Sequence, residues 1–322
     1  MGPIIHQLKN SRSVLLATHT NPDGDAIGSL TALGLALAGL GKKTLLYNES
    51  PIPAVYRFLP SVDRVVSHIG SVEKFDTAVI LDCGDLQRVG DAADAINRIP
   101  VVINIDHHIT NTGFGSLQLV DITACATAEI VYRIIKELKI GIDKHMAVSI
   151  YTGILTDTGS FRFSNTNRDA FAICEEMIEQ GTNPYHVAQY VYGTYSLGRI
   201  KLLNLALDSI EISNNGKLSL MTLTRDMFDE TRTHPEDADG LINYARNIES
   251  VQIAVLIQEN KKNSNQSGSD SFHVSLRSDG EVDVAAIAST FGGGGHASAA
   301  GFTIQSKLSD LKLKIFDLAE TL

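Results

Sequence analysis

The chain has little that would hold a long polyanion, cross a bilayer or cross-link itself. Its 322 residues carry 27 Lys and Arg against 37 Asp and Glu, a formal net charge of −10. Gripping long nucleic acid along a broad surface needs many cations to neutralise phosphates, so that class of function is excluded. A short nucleotide held by a few residues is not. The three cysteines, Cys83, Cys125 and Cys174, are widely spaced and form no CxxC pair, which argues against a disulfide framework and a zinc knuckle. A reducing cytoplasm fits that usage best. No signal pattern precedes the first apolar run, and the most apolar helix candidate, LTALGLALAGLG, is too short to span a bilayer, so no membrane partner is expected. Internal repeats and a GxSxG nucleophile elbow are absent as well.

What is present is a hydrophobic content of 43%, enough for a sizeable core, over a length that suggests two domains. The short runs SVLLATH, KTLLYNE, DTAVILDCGD and PVVINIDHH read as buried parallel strands. Helical patterns lie between and after them: DAIGSLTALGLALAGLG, TAEIVYRIIKELKI, KHMAVSIYTGILTD and TNRDAFAICEEMIEQG. The fold class expected is α/β, an open parallel sheet followed by a second, smaller α/β domain of mixed sheet. KLSLMTL, VQIAVLIQE and SFHVSLRS supply strands of that second region. The boundaries expected are residues 1–190 and 213–322, joined by a helical linker over 191–212. The polar stretch NKKNSNQSGSD reads as a hairpin loop.

In open parallel sheets ligands bind outside the carboxyl ends of the strands, so the residues just after each strand matter most. His19, Asp23 and Asp25 come after VLLAT; Asp82 ends TAVIL; Asp106, His107 and His108 end VVINI; Asp157 closes the helix AVSIYTGILTD. Any one of these alone reads equally well as a loop or a helix cap, as NPDGD illustrates. Together, five carboxylates and three imidazoles on one crest would repel one another unless cations separate them. A carboxylate and imidazole set without thiolate favours Mn²⁺ over structural zinc, with Mg²⁺ or Co²⁺ as substitutes. The set exceeds what one catalytic metal takes, which points to two ions sharing a bridging carboxylate.

The ordered stretches HTNPDGDAIGS, LDCGD, NIDHH and GILTDTGSFRFSNT resemble the four motifs of the DHH phosphoesterase family. VSLRSDGEVDVAAIASTFGGGGHASAAGF is similar to the DHH-associated C-terminal domain. Its ending GGGGHASAAG is most similar to the branch of nanoRNases and 3′-phosphoadenosine 5′-phosphate phosphatases. The resemblance implies one metal on His19, Asp23 and Asp82, and a second on Asp25, Asp82, His107 and Asp157. It implies that Asp106 orients His107, and that His108 faces the phosphate as proton donor or as a hydrogen-bonding support.

In the second region Gly293, Gly294, Gly295 and His296 read either as a flexible turn or as an anion-binding concavity of backbone N–H groups. Arg277, next to Ser278, is either a surface residue or a bidentate grip on a phosphate. Arg162, Phe163 and Asn165 fall beside the metal motifs, and Cys83 reads as packing. The expected substrates are very short RNA and small phosphorylated nucleotides, bound in an interdomain cleft by a monomer or a homodimer. An inorganic pyrophosphatase and a degenerate nucleotide-binding regulatory module are the alternatives.

Overall fold

The apolar runs of the first half become strands buried on both faces. In this computed structural model the described residues are 1–193, 195–260, 270–278 and 280–320, so most of the polar stretch read as a hairpin loop, residues 261–269, lies outside them. The chain divides into two compact units, residues 1–194 and 195–322. Among the described residues no helix is long and apolar enough to cross a membrane.

The first unit is built on β1 (Ser13–Ala17), β2 (Lys43–Tyr47), β3 (Val65–Val66), β4 (Thr77–Leu81), β5 (Val101–Asp106) and β6 (Leu117–Val120). They form one sheet in the order β3-β2-β1-β4-β5-β6, every pairing parallel. The chain leaves β1 for one side of the sheet and returns to its other side with β4, so the β1/β4 crest is where a crevice opens in such sheets. Its helices are α1 (Gly2–Asn10), α2 (Gly24–Gly39), α3 (Ala93–Ile96), α4 (Thr127–Glu137), α5 (Lys144–Asp157), α6 (Arg168–Glu179) and α7 (Pro184–Tyr192).

Alternation along β1 sends Val14 and Leu16 into the core shared with α2, α4 and α5, and Leu15 and Ala17 into the core on the opposite face. Helices α2 and α5 run antiparallel in close contact. A Cβ added at Gly28 would lie 2.5 Å from the carbonyl oxygen of Ser149, so only glycine permits that approach. The contact brings the start of α2 against the end of α5, and with them Asp25 and Asp157.

The second unit has β7 (Glu211–Ile212), β8 (Leu218–Leu223), β9 (Ile253–Glu259), β10 (Asp270–Ser278), β11 (Gly294–His296) and β12 (Ala299–Ser306). The order is β11-β12-β10-β9-β8-β7, with β8 and β9 parallel and the other pairings antiparallel, the mixed sheet expected. Helices α8 (Leu197–Asp208), α9 (Arg225–Thr231) and α10 (Ile242–Arg246) cover one face, α11 (Val284–Thr290) and α12 (Leu308–Ala319) the other. Leu202 and Ala206 of α8, from the stretch read as a linker over residues 191–212, are fully buried in this second core against Met221 and Leu256.

Candidate metal centre

Four segments of the first unit deliver their acidic and imidazole side chains to one place. His19, Asp23 and Asp82 each offer a ligand atom within 4.8 Å of the others, and so do Asp25, Asp82 and His107. Asp82 belongs to both groups. It stands directly after β4 with φ of 59°, a left-handed conformation that a non-glycine residue seldom adopts. One of its oxygens, Oδ2, lies 3.5 Å from Nε2 of His19, and the other, Oδ1, lies 3.7 Å from Nε2 of His107. Nε2 of His107 is also 3.6 Å from Oδ2 of Asp157 and 4.0 Å from Oδ2 of Asp25.

The tautomers are set by the far side of each ring. Nδ1 of His19 lies 2.9 Å from the carbonyl of Thr20, and Nδ1 of His107 lies 3.2 Å from that of Ala124. A carbonyl only accepts, so each Nδ1 carries hydrogen, and Nε2, which offers a lone pair once the ring is neutral, is the atom that faces the carboxylates. A divalent cation satisfies lone pair and carboxylate alike, so the donor set fits such an ion.

Electrostatics give the same picture. Burial pushes the Asp82 carboxyl up, but His19, His108 and His107 around it outweigh burial and hold it well below the usual carboxylate range. Burial pulls His107 down, but Asp157, Asp82 and Asp25 outweigh that and push it up to about 9. Asp157 is pushed up to about 7 by burial, with Asp23 and Asp82 adding to it against the opposing His107. Burial, then Asp82 and Asp157, raises Asp25 as well. Carboxylates and imidazoles crowded so closely displace each other's titration in opposite directions, as at sites built for cations.

Two of the supports, Ser29 and Thr127, are residues that sequence reasoning passes over, and Asn165 is one that it names. Asp25 is fully buried and accepts the backbone N–H of Thr127 at 2.6 Å and of Ala128 at 2.8 Å, together with the Ser29 hydroxyl at 3.1 Å. The Thr127 hydroxyl donates to Oδ1 of Asp82 at 2.9 Å. Asp23 is an N-cap as well, accepting the N–H of Ala26 through Oδ1 at 2.9 Å. Asn165 donates through Nδ2 to Oδ2 and to the carbonyl of Asp157, each at 3.1 Å, and to the Cys125 carbonyl at 2.9 Å. Arg162 is exposed and turns its Nε onto the Gly159 carbonyl at 2.6 Å. Cys83 is fully buried in the apolar core and burial pushes its thiol well up.

One expected pairing is corrected. Asp106 does not orient His107, whose Nδ1 is on Ala124; its Oδ1 lies 2.6 Å from Nδ1 of His108. Oδ2 of Asp106 accepts from Asn111 at 2.6 Å. Residues two apart at a strand end share a side of the chain, whereas neighbours face opposite sides, which is why the carboxylate meets the second histidine.

The second unit settles what the glycine run is. Gly294–His296 pairs with β12 as an edge strand instead of forming a loop or an open concavity. A Cβ at Gly293 would lie 2.2 Å from the Gly301 carbonyl, and one at Gly295, where φ is 146°, would lie 2.4 Å from that of Ala299. Close backbone approach therefore accounts for both glycines, while Gly294 has open space where a side chain would stand. Arg277 on β10 and His296 on β11 are both in register with Ala299 of β12, so the three form one row across the sheet with the small alanine in the middle. Nη1 of Arg277 donates to the Leu276 carbonyl at 3.0 Å. Ser278, only 2% exposed, donates to the Ala297 carbonyl at 3.3 Å and accepts the N–H of Gly280 at 3.3 Å, a turn-holding arrangement.

Comparison with known proteins matches residues 13–154 to the DHH family, N-terminal domain, and residues 217–321 to the DHHA1 domain. The chain is 33% identical over 298 residues to the bifunctional oligoribonuclease and PAP phosphatase NrnA of Thermus thermophilus, covering 91% of this chain and 84% of that protein. It is 28% identical to the protein of the same name from Bacillus subtilis, covering 91% and 90%. Among solved structures, an exopolyphosphatase-related protein from Bacteroides fragilis superposes with a TM-score of 0.88 at 25% identity, covering 99% of this chain and 94% of that one. The Mn²⁺ complex of RecJ from Thermus thermophilus superposes at 0.57 with 13% identity, covering 99% and 54%, a likeness of fold.

Proposed function

Because the chain belongs to the DHH family of phosphoesterases and carries its DHHA1 domain, we propose that it hydrolyses very short oligoribonucleotides and 3′-phosphoadenosine 5′-phosphate with manganese at the cluster around Asp82. The observation that carries this reading is that one buried carboxylate, Asp82, is shared by the group of His19 and Asp23 and the group of Asp25 and His107. The activities named for the Thermus and Bacillus relatives support the substrate class. A net charge of −10 favours short substrates over long strands in the same sense.

His19, Asp23 and Asp82 hold one ion in this reading, and Asp25, Asp82, His107 and Asp157 the other. When bound, two such cations supply Lewis acidity at the phosphoryl group and bring the pKa of a water toward neutrality. His19 and His107, locked through Nδ1 to Thr20 and Ala124, keep Nε2 as a donor atom. Asp25 and Asp82 are fixed by Thr127, Asp157 by Asn165. His108, its Nδ1 engaged by Asp106, holds a proton at Nε2 and delivers it to the leaving oxygen. Arg277 and His296 bind a phosphate that is not cleaved, which favours substrates that end close to the scissile bond.

The test is a 5′-labelled dinucleotide incubated with chelator-stripped protein and then with Mn²⁺ or Mg²⁺. Stripping should abolish hydrolysis, and Mn²⁺ should restore it better than Mg²⁺, because imidazole ligands are softer than Mg²⁺ prefers. Turnover in excess chelator equal to that of untreated protein overturns the reading.

A further inference from the structure

The two ends of the α2–α5 pair differ in chemistry. Asp25 and Asp157 stand at one end of the pair, and at the other a pocket of about 640 Å³ opens over Leu35, Val148 and Val187. Leu35 and Lys144 lie roughly 15 and 20 Å along their helices from Asp25 and Asp157, at about 1.5 Å per residue. This pocket is therefore separate from the metal cluster.

Its chemistry is aromatic and basic. Phe58 and Tyr190 stack in its wall with ring centroids 4.6 Å apart and planes 9° from parallel. The basic residues that line it are Lys144, His145 and His186, with no carboxylate in the lining, in a chain of net charge −10. Asp143, next to Lys144, is engaged elsewhere, its Oδ1 accepting the Met146 N–H at 2.9 Å as the cap of α5. Among the described residues none of these three basic side chains makes a hydrogen bond or an ion pair. A lysine and two imidazoles without a carboxylate beside them in the lining, set around an apolar floor and an aromatic wall, select an anion that carries a planar ring.

We propose that this pocket binds a nucleoside monophosphate, with its base against the Phe58–Tyr190 wall and its phosphate at Lys144 and His186. The choice of a nucleotide among aromatic phosphates rests on the hydrolytic reading above, whose products belong to that class.

Calorimetric titration of the full chain with AMP, in chelator so that nothing binds through the cluster, tests this. Three proteins are compared: the unaltered chain, K144A/H186A and R277A/H296A. The binding event should persist in R277A/H296A and weaken about tenfold or more in K144A/H186A. With metal restored, K144A/H186A should hydrolyse an activated phosphodiester at the unaltered rate. Y190L, a milder change read alongside circular dichroism, should weaken AMP binding too, and it keeps the test valid if the double variant fails to fold. AMP binding that is lost in R277A/H296A and kept in K144A/H186A overturns the proposal while leaving the hydrolytic reading in place. Inorganic phosphate that binds as tightly as AMP overturns the assignment of a nucleotide, as does a K144A/H186A chain that changes only its sedimentation behaviour.

Discussion

Asp25 closes the N-terminus of a helix that begins a hundred residues downstream, through the backbone N–H of Thr127 at 2.6 Å. The residue in the N-cap position of α4, Ala126, has no side chain to do so. One carboxylate thereby holds β1's crest, α2 and α4 in register, and it faces Asp82 and His107 while doing so. Asp25→Ala leaves the N–H groups of Thr127 and Ala128 buried without an acceptor, at about 1 to 3 kcal/mol each. Chemical denaturation in chelator should show a loss of about 2 to 4 kcal/mol, since part of the cost is offset by removing a buried charge. If the variant matches the unaltered chain, the helix is capped by something else.

Asp82→Asn isolates the ligand role from the backbone, because asparagine tolerates the left-handed φ of 59° well. Metal content by elemental analysis should fall at both positions in this variant, whereas His19→Ala should empty mainly one. Full metal content with near-normal turnover in Asp82→Asn would remove the bridge from the mechanism.

The pH dependence has a definite sign. In the folded, metal-free chain His107 titrates at about 9 and Asp157 at about 7, both above their ordinary values. The raised His107 stabilises fully below its unfolded pKa and loses that contribution as pH climbs to about 9. The raised Asp157 also costs stability as it ionises, from the ordinary carboxylate range up to about 7. Asp82, held low, is ionised throughout this window and does not contribute. The melting temperature in chelator should therefore fall as pH rises from about 5 to about 9. Divalent cations bind the deprotonated set, so the rise in Tm on adding Mn²⁺ should grow over the same range. A metal-induced rise that shrinks with pH would contradict the assignment of His107 and Asp157.

The crest is legible in the sequence because each acidic or imidazole cluster directly succeeds an apolar run, and parallel strands bring the residues at their carboxyl ends to one edge. Asp25's partners are not, since a capping acceptor is normally sought one residue before the helix, not across the sheet. The glycine run is equally opaque. Four glycines have the same composition in a loop and in an edge strand, and only the approach of Ala299 and Gly301 decides between them. Asp106 goes to the wrong histidine when the motif alone assigns it, although the alternation of side chains at the end of β5 already pairs it with His108.

That pairing makes its own prediction. Asp106→Asn replaces an ionised acceptor on Nδ1 of His108, so kcat should fall about ten- to a hundredfold with metal content unchanged. A loss of metal in step with activity would place Asp106 in the cluster itself.

Arg277, Ala299 and His296 form one row across the sheet of the second unit, and its proposed part in binding can be tested. If Arg277 binds a phosphate that is not cleaved, Arg277→Ala loses a charge-assisted contact of about 1.5 to 3 kcal/mol. The value of kcat/KM for a 5′-phosphorylated dinucleotide should then fall roughly ten- to a hundredfold. Part of the fall should appear in kcat, because binding remote from the reacting phosphorus also positions it. Hydrolysis of bis(p-nitrophenyl) phosphate, which has no second phosphate, should stay within about twofold, with metal content unchanged. Equal losses on both substrates would assign Arg277 to the fold of β10 and β12, whose register it shares with Ala299. Unchanged kinetics on both would leave it without a part in binding, and selection for short substrates would then have to come from the first unit alone.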